Sequence, residues 1–372
     1  MYQLAFVTMI VQGSQMGSRV LATLFALDLQ TSKWTIGLLI ASYSLLPLLL
    51  AIYAGRVADR LGTRRPMLFG IGAMTVGLVV PFAFPTLTGL FASALMVGLG
   101  FTFYNVSSQS LAGQYGPREE RTRNFATLSL GYSASNLIGP VSTGYLIEWY
   151  GHSTASGLLA CSMFFALVVL WFCRSLDTTP ASGQSGKPRS SFDLLANPEL
   201  RKILIASALI VTGWDLFTFY VPIYGYNIQL SPAEIGMILG SFAVGGFVMR
   251  ACLGPLTARF RVRPVLMTAM FFGAAIYVVF PHIEDYTLLL VFAFLAGGAL
   301  GTGQPLTLSM VFNRSPEGRG GEVTGLRLAI NNMTHVLVPS GAGFLGSLVG
   351  VAPVFLLASA FLLIGGLMSR RA

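Results

Sequence analysis

Twelve apolar runs follow one another along the 372 residues, most of them as long as a lipid bilayer is thick. A helix needs about 20 residues to cross the hydrocarbon layer. Bounded by charged residues and by Gly or Pro breaks, the runs cover 3–27, 34–55, 66–84, 87–113, 123–147 and 154–173, then 202–225, 234–257, 265–281, 286–312, 323–346 and 351–369. Only 10% of the residues are charged and 54% are hydrophobic, whereas a water-soluble domain carries roughly a quarter of its residues charged. The chain is therefore expected to be an all-α integral membrane protein of twelve transmembrane helices joined by very short loops. Its first run is too long for the apolar part of a signal peptide and has no basic segment before it, so it is taken as the first span.

The basic residues set an expected orientation. Arg56, Arg60, Arg64 and Arg65 lie between spans two and three, and Arg118, Arg121 and Arg123 between four and five. The central stretch holds Arg174, Lys187, Arg189, Arg201 and Lys202. Loops of the same parity add Arg259, Arg261, Arg263, Arg314 and Arg319, and the tail ends in Arg370 and Arg371. The opposite loops offer Lys33 alone, beside Asp28, Glu148, Glu284 and Asp285. Nineteen basic residues against one predict that both termini face the cytoplasm in a multi-pass protein of the cytoplasmic membrane. The net charge of +9 is this topological signal. No nucleic-acid partner is implied, because the charges lie between spans and not on one face.

A polar linker, 177–191, divides the chain into an N-terminal bundle (1–174), a cytoplasmic connection (175–200) and a C-terminal bundle (201–372). The halves repeat at an offset of 199: Ser32, Ile36 and Gly37 recur as Ser231, Ile235 and Gly236, and Gly55 as Gly254. Pro117, Pro140, Gly144 and Gly151 recur as Pro316, Pro339, Gly343 and Gly350. Two pseudo-symmetric six-helix bundles follow, related by an axis along the membrane normal, with a binding site near the midplane between them.

Between spans two and three stands Gly55-Arg-Val-Ala-Asp59-Arg60-Leu-Gly62-Thr-Arg64-Arg65. This loop resembles the signature of the major facilitator superfamily, and the resemblance extends over the whole chain in span count, polarity and two-half symmetry. Its echo, Gly254-Pro-Leu-Thr-Ala258-Arg259, has lost the acid. Small Gly55 suits a close helix approach, and a carboxylate at Asp59 suits local arginines and the positive end of a helix. The resemblance implies that Gly55, Asp59, Arg60, Gly62 and Arg64 form a gate that latches the cytoplasmic side. In span five, Ser135-Asn136-Leu-Ile-Gly139-Pro140 looks like the Gly-Pro motif of antiporters in that superfamily, with Ser135 and Thr143 where glycines are usual. Pro140 removes a helical hydrogen bond. Gly139, Pro140 and its repeat Pro339 are accordingly expected to be bending points. The family's span-four arginine is missing, its place being taken by Ala94.

An ionisable group inside a membrane is costly and so points to function. Gln12, Gln15 and Arg19 are three and four residues apart on span one, hence on one face. By the resemblance, spans one, four, seven and ten line the cavity. Substrate contacts are expected from Gln12, Gln15 and Arg19, from Tyr104, Asn105 and Gln109 of span four, from Trp214 and Tyr220 of span seven, from Gln304 of span ten and from Asn331 of span eleven. Asp215 is the one acid well inside a span. It is expected to face Arg19 across the cavity and to exchange a proton, or else to form a static ion pair with it. Arg327, Asn331 and His335 recur every four residues on span eleven. His335 titrates near neutral pH in ordinary surroundings and is the second proton-coupling candidate, with a packing role as its alternative. Arg250 and Arg327 either snorkel to the interface or serve the cavity.

Cys161, Cys173 and Cys252 lie in apolar runs, and two of the three histidines, His152 and His282, fall at loop positions. No metal site, cofactor or catalytic constellation is therefore expected, and no Walker loop for ATP is present. The expected function is a secondary carrier of a small organic solute, anionic or zwitterionic, exporting it in exchange for protons and working as a monomer in the lipid bilayer. Proton symport of a carboxylate nutrient is the alternative within the class, and a channel or scaffold is the alternative outside it.

Overall fold

The computed structural model describes residues 1–115, 121–173, 196–260, 262–314 and 320–371, and no strand occurs among them. Spans one to four are Tyr2–Asp28, Lys33–Leu61, Arg64–Ala83 and Leu87–Gln114. Spans five and six share the stretch Arg121–Phe172, divided at Gly151, where φ is 77°. Spans seven to nine are Pro198–Asn227, Pro232–Phe260 and Val262–Val279. Span ten is Tyr286–Gly301 followed by Gly303–Arg314, and spans eleven and twelve are Gly320–Val349 and Ala352–Arg371. Nine helices among the described residues are long and apolar enough to cross a membrane.

Polar residues at the ends of the apolar runs start the helices. Ser32 Oγ accepts from the Thr35 amide at 3.2 Å, Asp285 Oδ1 from Leu288 at 2.8 Å, and Asn197 Oδ1 from Glu199 at 3.0 Å. Such caps satisfy amides that have no partner within the first turn. Span seven thereby starts at Pro198, four residues before its apolar run.

Span ten follows the course expected over 286–312, with one local turn at Thr302 whose φ and ψ, −74° and −25°, stay helical. Thr302 stands between two glycines, and its carbonyl accepts from the Leu306 amide at 3.2 Å. Arg250 Nε donates to the Gly301 carbonyl at 3.0 Å, which gives that oxygen a partner outside its helix.

The repeat is present in the backbone. Gln30 and Gln229 both have positive φ, 55° and 62°, and so do Gly151 and Gly350, 77° and 86°; each pair is 199 residues apart. The close helix contacts repeat as well. A Cβ on Gly98 would collide with the Tyr43 carbonyl, and one on Gly297 with the Phe242 carbonyl. The Pro117 and Pro316 pair and the linker 177–191 lie outside the described residues.

Proximity groups the chain into two compact units, residues 1–184 with 229–240, and residues 185–228 with 241–372. The first turns of span eight thus belong with the first unit. There Glu148 Oε2 accepts from the Ala233 amide at 3.1 Å, a carboxylate at the positive end of a helix. Large apolar side chains such as Leu49 (67% exposed) and Phe164 (58%) point outward. Lipid is the solvent in which that surface is not a liability.

Candidate functional site

In the first unit, span one presents its polar face inward. Gln12 and Gln15 are 8% and 5% exposed, and the side-chain oxygen of each is sealed without a hydrogen-bond partner. Acceptors in that state are costly unless a donor reaches them. Arg19, one turn further on, is half-buried and forms no ion pair among the described residues. Span one can take this polarity because it lies backbone to backbone on span five, where a Cβ at Gly139 would strike the Gly13 carbonyl.

Span four divides into packing and reachable residues. Tyr104 is fully buried, with its hydroxyl 2.7 Å from Thr8 Oγ1, and so ties span four to span one. Asn105 Oδ1 accepts from Tyr132 at 2.7 Å and from Gln109 Nε2 at 2.9 Å. Gln109 is exposed and Asn105 half-buried, which keeps these two within reach of a solute.

At the signature loop, Gly62 turns the chain with φ 78°, where a side chain would be strained. Arg64 donates to the Trp171 carbonyl at 2.5 Å, and Arg60 is exposed. The close approach expected at Gly55 is not required: a Cβ there would meet Val106 at 3.8 Å, an ordinary contact. The Asp59 side chain lies outside the described residues. Gly139, beside Pro140, is a packing glycine, and Pro140 and Pro339 both sit inside helices.

The second unit holds the charged site. Asp215 is 2% exposed, and its Oδ2 lies 2.5 Å from His335 Nδ1. Two turns back along both helices, Arg327 is 5% exposed. Its Nε donates to Ser207 Oγ at 3.0 Å, and one Nη donates to the Gln304 carbonyl and to Thr307 Oγ1, each at 3.1 Å. Between these levels Asn331, 5% exposed, accepts from Ser207 at 3.4 Å. The four-residue stripe of span eleven therefore faces span seven along its length. Interfacial snorkelling of Arg327 is excluded by this burial and these partners. Ser207 carried no signal of its own, since a serine in an apolar run is commonplace; only the arginine spacing across from it could have marked the place.

Trp214 is half-buried against Phe242, with Arg250 over its ring at 5.8 Å. Gln304 exposes its side chain and contributes its carbonyl to Arg327. Tyr220 is a core residue, 1% exposed, whose hydroxyl donates to the Ala342 carbonyl at 2.5 Å. Sequence periodicity cannot separate a buried tyrosine that is paired from one that waits for a ligand.

A duplicated all-helical membrane fold with polar stripes and a buried carboxylate paired with an imidazole has the architecture of a multi-pass membrane carrier. The chain belongs to the Major Facilitator Superfamily, whose family model matches residues 4–231 and 203–371. It is similar to the multidrug resistance protein MdtG of Escherichia coli (strain K12 / DH10B), with 23% identity over 321 residues, 85% of this chain and 78% of that protein. The nucleoside transporter NupG superposes with a TM-score of 0.82 at 12% identity, covering 99% of this chain and 98% of that one. A bacterial homolog of the human lysosomal transporter Spinster, in an inward-facing and occupied conformation, gives 0.81 at 14% identity, with 99% and 95% covered. The peptide transporter POT in complex with alafosfalin gives 0.82 at 16%, with 99% and 92% covered. At these identities the likeness is one of fold.

Proposed function

We propose that the chain exports a small organic solute, anionic or zwitterionic, in exchange for protons across the cytoplasmic membrane, with both termini in the cytoplasm. The observation that carries the coupling is the Asp215–His335 pair, at 2.5 Å and with a carboxylate 2% exposed. When neutral imidazole faces ionised carboxylate the pair carries one negative charge; one added proton makes it neutral. A pair that differs by one proton between its two charge states can carry that proton through the transport cycle.

Export is supported by the Gly139-Pro140 stretch and by the similarity to a multidrug resistance protein. The orientation rests on the arginine and lysine distribution. Gln12, Gln15 and Arg19 supply polar contacts on span one, with Arg19 free to meet an anionic group. Asn105, Gln109 and Trp214 add further contacts. The experiment is solute-driven proton movement in liposomes loaded with a pH-sensitive dye. Protons moving opposite to an added solute support exchange; protons moving with it overturn export in favour of symport.

A further inference from the structure

The second unit carries a cation that the proton-coupling pair does not use. Arg327 is buried in span eleven, and no carboxylate pairs with it among the described residues. Its three hydrogen-bond partners, Ser207, Thr307 and the Gln304 carbonyl, are all neutral. A guanidinium keeps its proton at any physiological pH, so its charge stands uncompensated in a setting where a lone charge is costly. The neutral partners fix the plane of the guanidinium, and the other Nη has no partner among the described residues.

The next turn supplies a second donor. Asn331 uses its side-chain oxygen to accept from Ser207, and its amide nitrogen has no partner among the described residues. A fixed cation with an open N–H edge, next to an amide N–H on the same helix face, suits a planar or tetrahedral oxyanion. The neighbouring backbone is held on both sides of Thr302: Arg327 holds the Gln304 carbonyl, and Arg250 holds the Gly301 carbonyl.

We propose that Arg327 and Asn331 form an oxyanion station that receives the carboxylate or phosphonate group of the solute, separately from the Asp215–His335 proton station. Ser207 and Asp215 are eight residues apart on span seven, which sets the two stations about 12 Å apart along the helix axis. The proposal rests on the transporter reading above and places the solute's acidic group on Arg327 and Asn331 instead of on Arg19. Ser207 and Thr307 position the guanidinium and need not touch the solute.

The test is binding, which requires no proton coupling. Full-length protein in detergent is heated with benzoate, phenylphosphonate, benzyl alcohol or benzyltrimethylammonium, and the unfolding midpoint is followed against probe concentration. The two oxyanions are expected to raise the midpoint in wild type and in the exposed-arginine control Arg201→Gln. The half-saturating concentration should rise about tenfold to a hundredfold in Arg327→Gln, the loss expected for charge-assisted hydrogen bonds. Arg327→Lys, which keeps the charge, should fall between, and Asn331→Leu should weaken the oxyanions selectively. If Arg327→Gln does not fold, the Lys and Leu variants carry the test. Equal stabilisation of Arg327→Lys, Asn331→Leu and wild type would overturn the station, as would stabilisation by the cation alone. Oxyanion binding without proton movement would sustain the station and count against the coupling reading. Proton-coupled export of a cation without oxyanion binding would do the reverse.

Discussion

Asp215 on span seven and His335 on span eleven meet at 2.5 Å, the carboxylate 2% exposed and the imidazole side chain 27% exposed. The acid is thus sealed while its partner keeps an edge from which a proton can arrive or leave. The pair also joins two helices that carry the rest of the polar ladder, Ser207 opposite Arg327 and Asn331.

Breaking the pair from one side should therefore be costly. His335→Leu strands a buried carboxylate and is expected to destabilise the protein by about 3 kcal/mol. Adding Asp215→Asn should recover part of that loss. Unfolding midpoints of the two single variants and the double variant close the cycle. Additive losses would mean that the two groups do not interact.

The glycine contacts make a second prediction. Gly98→Ala and Gly297→Ala each drive a methyl group into a neighbouring carbonyl, and each should cost about 1–3 kcal/mol. Gly55→Ala has room, with 3.8 Å to Val106, and should unfold within about 0.5 kcal/mol of wild type. A thermal unfolding series on the three variants decides it.

Asp59→Asn should cut transport severely while expression and ligand binding stay near wild type, as expected for a latch that acts only between conformations. Transport rate measured beside solute binding separates the two. Normal turnover in Asp59→Asn would remove the latch role. Gly62→Ala, at φ 78°, should lose about 1–2 kcal/mol from backbone strain alone.

Glu148→Ala leaves the Ala233 amide at the start of span eight without its acceptor. The expected loss is about 1 kcal/mol, the usual value of a helix cap. Glu148→Gln keeps an acceptor without the charge and should lose less. Unfolding midpoints of both variants check the order.

The fold was legible because lipid imposes a length on every span and the duplication repeats special residues at one offset. Gln30 and Gln229 share a left-handed backbone that no propensity scale would suggest, yet the 199-residue repeat relates them. The site was legible only in part. Asp215 stood out as an acid in an apolar run, and the spacing of Arg327, Asn331 and His335 gave their common face. Their true partners did not stand out, because Ser207 and Thr307 look like any small polar residues in a membrane helix. Gln12 and Gln15 were visible as a polar face, whereas their unpaired oxygens emerge only from three-dimensional packing. Tyr104 and Tyr220 looked available because a sequence does not show that their hydroxyls are already bonded to Thr8 and Ala342.

The central claim, that Asp215 couples solute movement to protons, is tested most directly by comparing two assays on Asp215→Asn in liposomes. One follows solute exchange between internal and external pools with no proton gradient, and the other follows accumulation driven by an imposed gradient. Exchange is expected to persist while gradient-driven accumulation, and its dependence on pH, is lost. Accumulation with the wild-type pH profile in Asp215→Asn would contradict it.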